Sequence, residues 1–343
     1  MMKLKLFQDW LKREGIGLAV LTNSDYNLTY FTGIKPSAGC LSVRPGQATL
    51  FLSPLDQKPV LKGITVQKLE QNWGKQQHNV QIKKVGIDKS NITLQFYEQL
   101  KKIYPRAKFV DIAEGLARLR MIKTQIELIK LAQACQITDN VFRSVVKNLK
   151  TMKTEQDLAR FIQKKIEEQG AELAFPTIVA SGKNSAVPHH ITSDQMIKSG
   201  FLLLDFGAKH KGYCSDMTRM LYLGKPTKLE LQTYNLLLTV QQKIISQIKL
   251  NKSLAELNRL ARKKLGKYSS YFIHSLGHGV GLEIHEAPKI SADSKEKMLK
   301  NMVFTIEPGL YFPGQFGIRI EDTVRFDGTV KVLTKSTTKL ICV

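Results

Sequence analysis

The sequence lacks the features that would place it in several common classes. Its four cysteines, at positions 40, 135, 214 and 342, are scattered, and no C-x-x-C pair occurs. A structural zinc knot or a disulfide framework therefore has little support, and free, reduced thiols are expected. No apolar run approaches the length needed to cross a bilayer. The opening stretch, MMKLKLFQDWLKREG, mixes charge with apolar residues and has neither an uninterrupted apolar core nor a small-residue cleavage site. It reads as a first helix rather than a secretory signal, so the expected location is the cytoplasm, with no membrane partner. Acidic residues are outnumbered, 29 Asp and Glu against 52 Lys and Arg, for a formal net charge of +23. Such a balance would suit a nucleic-acid partner. Yet no block of Lys and Arg with interleaved aromatics occurs, the densest cluster being Arg262-Lys-Lys264. A lysine-rich solvated surface is the preferred account of the charge, and nucleic acid is not the expected partner.

What is present points to two domains. The first third alternates short apolar runs with helix-like segments. GLAVLTNS, QATLFLSP, VQIKKVGID and KFVDIA have the look of strands, and LQFYEQLKKIY has helical spacing. This smaller α/β domain is placed at 1–118. A long helical stretch, Thr124 to Asn148, leads into a second domain, 119–343, with no low-complexity linker between them. Two helix starts in the second domain fit the capping-box pattern, Thr154-Glu-Gln-Asp157 and Ser253-Leu-Ala-Glu256. Strand-like segments carrying acidic or histidine residues follow each helix, which hints at two related halves.

The chemistry-bearing residues lie in that second domain. HSLGHGVGLEIHEAPKI sets His278 and His285 seven residues apart among glycines. It resembles the zinc-helix pattern H-E-x-x-H, but Lys289 stands where the second histidine would be needed, and the glycines argue against a helix. Upstream, Asp205 ends an apolar strand and Asp216 follows 11 residues later, with the glycine-containing turn KHKGY between them. A hairpin there would bring both carboxylates to one place. Downstream, Glu307 ends the apolar run VFTIE, and Glu321 is expected inside the strand GIRIEDTVRF, on the same face as Arg319. If Asp205, Asp216, Glu307 and Glu321 converge, their like charges need strong compensation. Arg319 could supply one positive charge, and two divalent cations would supply four. Oxygen donors with one imidazole suit Mn, Co, Fe or Zn in a two-metal site.

Taken together, Asp-Phe-Gly…Ser-Asp-Met-Thr-Arg, Gly-His-Gly-Val-Gly…His-Glu-Ala-Pro, Glu-Pro-Gly and Gly-Ile-Arg-Ile-Glu-Asp resemble the pita-bread dinuclear metallopeptidases in order and spacing. That family includes prolidase, aminopeptidase P and methionine aminopeptidase. In the first domain, SDYNLTYFTGI resembles the Asn-x-x-Tyr-[Leu/Phe]-Thr-Gly segment of creatinase, prolidase and aminopeptidase P. The fold class implied is α+β, a C-terminal pita-bread catalytic domain preceded by a smaller creatinase-like α/β domain. The activity implied is metal-dependent hydrolysis of the peptide bond before proline, with a slight lean to an Xaa-Pro dipeptidase over an aminopeptidase P. A non-catalytic, nucleic-acid-associated relative is the remoter alternative.

The resemblance also implies roles. Asp205, Asp216, His278, Glu307 and Glu321 would hold two divalent metal ions, with Asp216 and Glu321 bridging them. A hydroxide between the ions would attack the scissile carbonyl, and Glu307 would shuttle the proton. His189, in AVPHHIT, and His285 would stabilise developing charge, with His189 favoured over His190 as the cleft-facing imidazole. Arg319 and Lys289 are the expected substrate-binding residues. Phe175, Tyr311 or Phe316 would receive the proline ring. A short proline-containing peptide is the expected partner, and a homodimer the expected assembly.

Overall fold

A computed structural model of the chain describes residues 2–70, 73 and 82–343. It forms two compact units, Met1–Arg120 and Met121–Val343. The first is built on a six-stranded sheet, with strands in the order Thr65–Lys68, Gln47–Leu52, Gly39–Arg44, Leu18–Thr22, Lys84–Ile87, Lys108–Asp111. Leu18–Thr22 pairs antiparallel with Gly39–Arg44 and parallel with Lys84–Ile87, so the sheet is mixed. Its centre is covered on both faces. Ala19 and Leu21 pack with Phe7 and Leu11 of the helix Met2–Arg13, while Leu18 and Val20 pack with Leu100 and Tyr104 on the other side. A strand buried on both faces needs a continuous apolar run, which is how GLAVLTNS reads.

The first helix, the helix Leu94–Ile103 and four strands lie where the sequence pattern sets them. The first two positions of VQIKKVGID, Val80 and Gln81, lie outside the described residues. Four elements carry no clear pattern: the strands Gly39–Arg44 and Thr65–Lys68, the helix Ala113–Met121 and the short helix Tyr26–Thr32. That helix is set by its start, where the Asp25 carboxylate accepts from the backbone N–H of Asn27 at 2.7 Å.

The second unit holds two sheets that matter for the site. One has the order Ile341–Cys342, Met217–Leu223, Gly200–Phe206, Ile178–Ser181; the other runs Glu286–Ile290, Gly277–Gly279, Met302–Ile306, Asp322–Phe326, Val330–Val332. Gly200–Phe206 is again buried on both sides. Phe201 and Leu203 join the core formed by the helices Lys228–Ser246 and Leu254–Leu265, and Leu202, Leu204 and Phe206 join the core beneath Gln125–Asn148 and Glu155–Glu167. Each sheet is thus preceded in the chain by a pair of helices that cover it. At Thr154 both hydrogen bonds of the capping box form with Asp157. At Ser253 only half of the expected box forms: its hydroxyl accepts from the Glu256 N–H, but the Glu256 carboxylate turns to Lys252 Nζ, 2.5 Å away. A salt bridge to a neighbouring lysine has replaced the return hydrogen bond. Cys40, Cys135, Cys214 and Cys342 are all unpaired.

Candidate metal centre and active site

The hairpin between the first two carboxylates forms around Lys211 and Gly212, both with positive φ, 50° and 82°. This is the conformation of a two-residue type I′ turn, with His210 opposite Tyr213. Beyond it Gly200–Phe206 and Met217–Leu223 run antiparallel with Asp205 opposite Thr218, which puts Asp205 and Asp216 side by side. Both carboxylates are buried. The second sheet supplies the rest. His278 is the middle residue of Gly277–Gly279, and Glu307 directly follows Met302–Ile306.

Glu321 departs from expectation. It is not inside one continuous strand. Phe316–Arg319 pairs with Gly309–Phe312, a new strand starts at Asp322 against Met302–Ile306, and Glu321 sits in the break. Arg319 and Glu321 nevertheless meet through one hydroxyl: Arg319 Nε donates to Thr218 Oγ1 at 2.9 Å, and that hydroxyl donates to Glu321 Oε2 at 2.6 Å.

His278 is oriented from its far side. Its backbone N–H donates to Thr305 Oγ1 at 3.1 Å, and Nδ1 lies 3.1 Å from the carbonyl of Gly279. With the proton on Nδ1, Nε2 faces Asp216 Oδ2 and Glu307 Oε1, each 3.4 Å away. Asp216, His278 and Glu321 each offer a donor atom, all within 4.8 Å of one another. Asp205 Oδ2 accepts from Arg319 Nη2, while its Oδ1 is buried with no hydrogen-bond partner.

The electrostatics follow from this crowding. Burial pushes the Asp216 carboxyl up to about 7, helped by the charges of Asp205 and Glu307 and opposed by His278. Burial likewise raises Asp205, against Arg319, and raises Glu321 well above its ordinary range, with Asp216 and Glu307 adding to it. For His278 burial acts downward, but the hydrogen bond to Asp216 and the charges of Glu307 and Asp216 outweigh it and lift the imidazole to about 9. Carboxylates that resist ionisation around an imidazole that holds a proton form the pattern a divalent cation would reverse, keeping the carboxylates charged and the histidine neutral. The partnerless Asp205 oxygen and the oxygen-rich donor set both fit such ions.

These groups line a cleft of about 720 Å³, together with His189, His274, His285, Lys289 and the apolar side chains of Phe175, Ile178 and Ile284. Of the paired histidines, His189 lines the cleft, whereas His190 Nε2 lies 2.7 Å from the buried Glu155 Oε2. The His285 ring stands edge-to-face with His278, centroids 4.3 Å apart. Partial desolvation and then His278 hold it below the usual imidazole range.

Some of the side chains expected at the substrate are engaged within the protein. Arg319 is buried at the cleft wall and donates to Thr218, to Tyr311 Oη at 2.8 Å, to the carbonyl of Pro188 at 3.2 Å, and to Asp205. Its charge offsets those of Asp205 and Glu321. Tyr311 is buried, with its Oη taken up by Arg319 and His274, and Phe316 packs on Phe201 and Phe312, so neither ring is among the cleft-lining side chains. Phe175 does line the cleft, and Lys289 stands exposed at its edge.

Sequence reasoning missed His274. Its Nε2 is 2.9 Å from Tyr311 Oη and its Nδ1 4.0 Å from Glu307 Oε2. It also missed Thr218 and Arg219. Arg219 is fully buried and donates to Asp322 Oδ1 at 2.6 Å and to the backbone carbonyl of Glu321. A lone basic residue inside the apolar strand MTRMLYL was the available signal.

The description "Metallopeptidase family M24" matches residues 129–327, and "Creatinase/Prolidase N-terminal domain" matches 3–122. The chain belongs to metallopeptidase family M24. Among its M24 relatives, an Xaa-Pro dipeptidase from Pyrococcus horikoshii is 34% identical, over 99% of this chain and 98% of its own. The solved prolidase from Pyrococcus horikoshii OT3 superposes with a TM-score of 0.92 at 31% identity, covering 99% of this chain and all of that one. An X-Pro aminopeptidase from Thermotoga maritima gives a TM-score of 0.88 at 28% identity, covering 97% of this chain and 99% of that one. The two-domain pita-bread fold of this M24 chain is thus that of prolidase-like enzymes. Among the described residues, no helix is long and apolar enough to cross a membrane.

Proposed function

We propose that the chain is an Xaa-Pro peptidase, with the dipeptide as preferred substrate, working with two divalent ions held by Asp205, Asp216, His278, Glu307 and Glu321. The observation that carries this reading is the convergence of Asp216, Glu307 and Glu321 around His278 inside a cleft that Asp205, His189 and His285 also line. The names of the relatives support the substrate class.

The substrate's chemistry suits the walls. A bond before proline is a tertiary amide with no N–H for strand-like docking, so recognition falls on the free amino end and the ring. Phe175, Pro176, Ile178 and Ile284 give the ring an apolar surface. Lys289 places a positive charge at the cleft edge for the carboxylate of a C-terminal proline, though without the bidentate fork of an arginine.

When bound, the ions supply Lewis acidity, acidifying water and polarising the scissile carbonyl. Glu307 takes a proton from the attacking water and passes it to the departing prolyl nitrogen. His189 and His285, on the cleft wall, donate hydrogen bonds to the carbonyl oxygen as negative charge develops on it. Arg319 holds Asp205 in place throughout.

The reading is tested by offering metal-stripped protein an Xaa-Pro dipeptide and an Xaa-Pro-Xaa tripeptide, each with Mn, Co or Zn added. Metal-dependent cleavage of the dipeptide alone is expected. Preference for the tripeptide selects an aminopeptidase instead, and cleavage of neither overturns both.

A further inference from the structure

Among the described residues no hydrogen bond holds the His285 ring, whose ring contact is with His278. Its position is therefore set by the backbone next to it, and there the chain carries a costly device. Glu286 is register partner to Gly279, and its carboxylate lies 2.8 Å from Lys123 Nζ with the two side chains only 6% and 1% exposed. Lys123 is itself fixed. Its N–H donates to the carbonyl of Asn301 at 2.9 Å, and Ile122 bridges Met302 at the start of the strand that leads to Glu307. The other end of the His285 loop is tied down as well. Gly281 donates to Glu283 O, and the Gly281 carbonyl accepts from Cys214 N–H at 2.8 Å, two residues before Asp216. The absence of a Cβ at Gly281 leaves room for the Glu286 carboxylate, which a side chain there would displace.

An ion pair this buried is a poor stabiliser. An apolar pair of the same volume is often as stable or more so, while loss of one partner leaves an uncompensated charge. What the pair supplies is geometry. We infer that Lys123 and Glu286 are positioning residues: their buried ion pair fixes the backbone at His285, holding that imidazole beside His278 and open to the cleft. The inference rests on the reading of the cleft as a hydrolytic site in which His285 meets the substrate.

Single replacement of either partner upsets the buried charge balance, so the variant used is the paired replacement, Lys123→Met with Glu286→Gln. It is compared with His285→Ala and with all three changes combined, in the full chain with saturating Mn and an Xaa-Pro dipeptide. The neutral pair is expected to lower kcat about tenfold, the scale of supporting interactions around a metal site, with KM within about twofold and Mn affinity unchanged. In the His285→Ala background the same change is expected to cost less than about twofold, because the residue it positions is gone. Independently of turnover, amide hydrogen exchange across 280–287 is expected to rise in the neutral pair. A full tenfold loss persisting without His285, a matching loss of Mn affinity, or unaltered exchange overturns the positioning role. Inactivity of the unmodified protein toward every Xaa-Pro peptide overturns instead the reading on which it rests.

Discussion

Glu307 sits where two demands meet. One oxygen, Oε1, accepts from Thr305 Oγ1 at 3.2 Å and lies 3.4 Å from His278 Nε2, while Oε2 is 4.0 Å from His274 Nδ1. A carboxylate so placed can serve an ion through one oxygen and a proton through the other. Glu307→Gln keeps the shape and removes the base, so turnover at saturating metal should fall by about 10²–10⁴-fold. Undiminished kcat would remove the proton-transfer role. A second residue, Asp25, makes a prediction about stability. Burial, with Asp88 adding to it, lifts its carboxyl to about 6 against the pull of its hydrogen bonds to Asn27. The folded state then holds its proton more tightly than the unfolded chain, whose value is near 3.8. Stability from this group is full below that lower value and is lost as pH rises through about 6, a change on the order of 3 kcal/mol. Trp10 and Trp73, the chain's two tryptophans, both lie in the first unit, so urea unfolding followed by their fluorescence reads it directly. The wild-type midpoint should be higher at pH 5 than at pH 8, with Asp25→Asn flattening the difference; an equal slope in both proteins contradicts this.

Among the elements, the hairpin at Lys211–Gly212 shows how a short turn serves a site built from distant strands. Its two positive φ values close the loop, and the strands behind it hold Asp205 and Asp216 together. A Cβ on Gly212 would meet Leu282 at an ordinary 3.7 Å, so the penalty for Gly212→Ala is backbone strain alone. We expect a loss of about 1–2 kcal/mol in the second unit, read as a lowered urea midpoint by circular dichroism; an unmoved midpoint would rule the type I′ geometry out. This turn was legible because Gly in a five-residue gap between two apolar runs permits little else. The helix start at Thr154 was legible for a similarly local reason, a hydroxyl followed three residues later by an acid. Where local pattern met a competing partner, it failed. Glu256 forms a salt bridge instead of completing its cap, and the run GIRIEDTVRF breaks at Glu321 because its two ends pair with different strands. The resemblance favoured His189 over His190, but the partner that holds His190, the buried Glu155 35 residues earlier, is a contact that no spacing rule encodes.

At the scale of the whole molecule, the two sheets of the second unit each bring part of one charge-dense site, Asp205 and Asp216 from one and His278 and Glu307 from the other, with Glu321 between Arg319 and Asp322. Arg319 supplies one compensating charge and is already committed to Asp205. The sequence pointed to Asp205 and Glu307 through their strand-end positions, and to Asp216, His278 and Glu321 through motif order. It could not reveal the commitment of Arg319, which depends on Thr218, Tyr311 and Pro188 arriving from three other segments. The central claim is that this assembly is balanced by a pair of divalent cations. Calorimetric titration of the metal-stripped full chain with Mn²⁺ measures it most directly. The account predicts two ions per chain for the wild type and fewer, or far weaker, for Asp216→Asn and Glu321→Gln. Absence of uptake by a folded wild-type chain, or uptake that both substitutions leave unaltered, would contradict it.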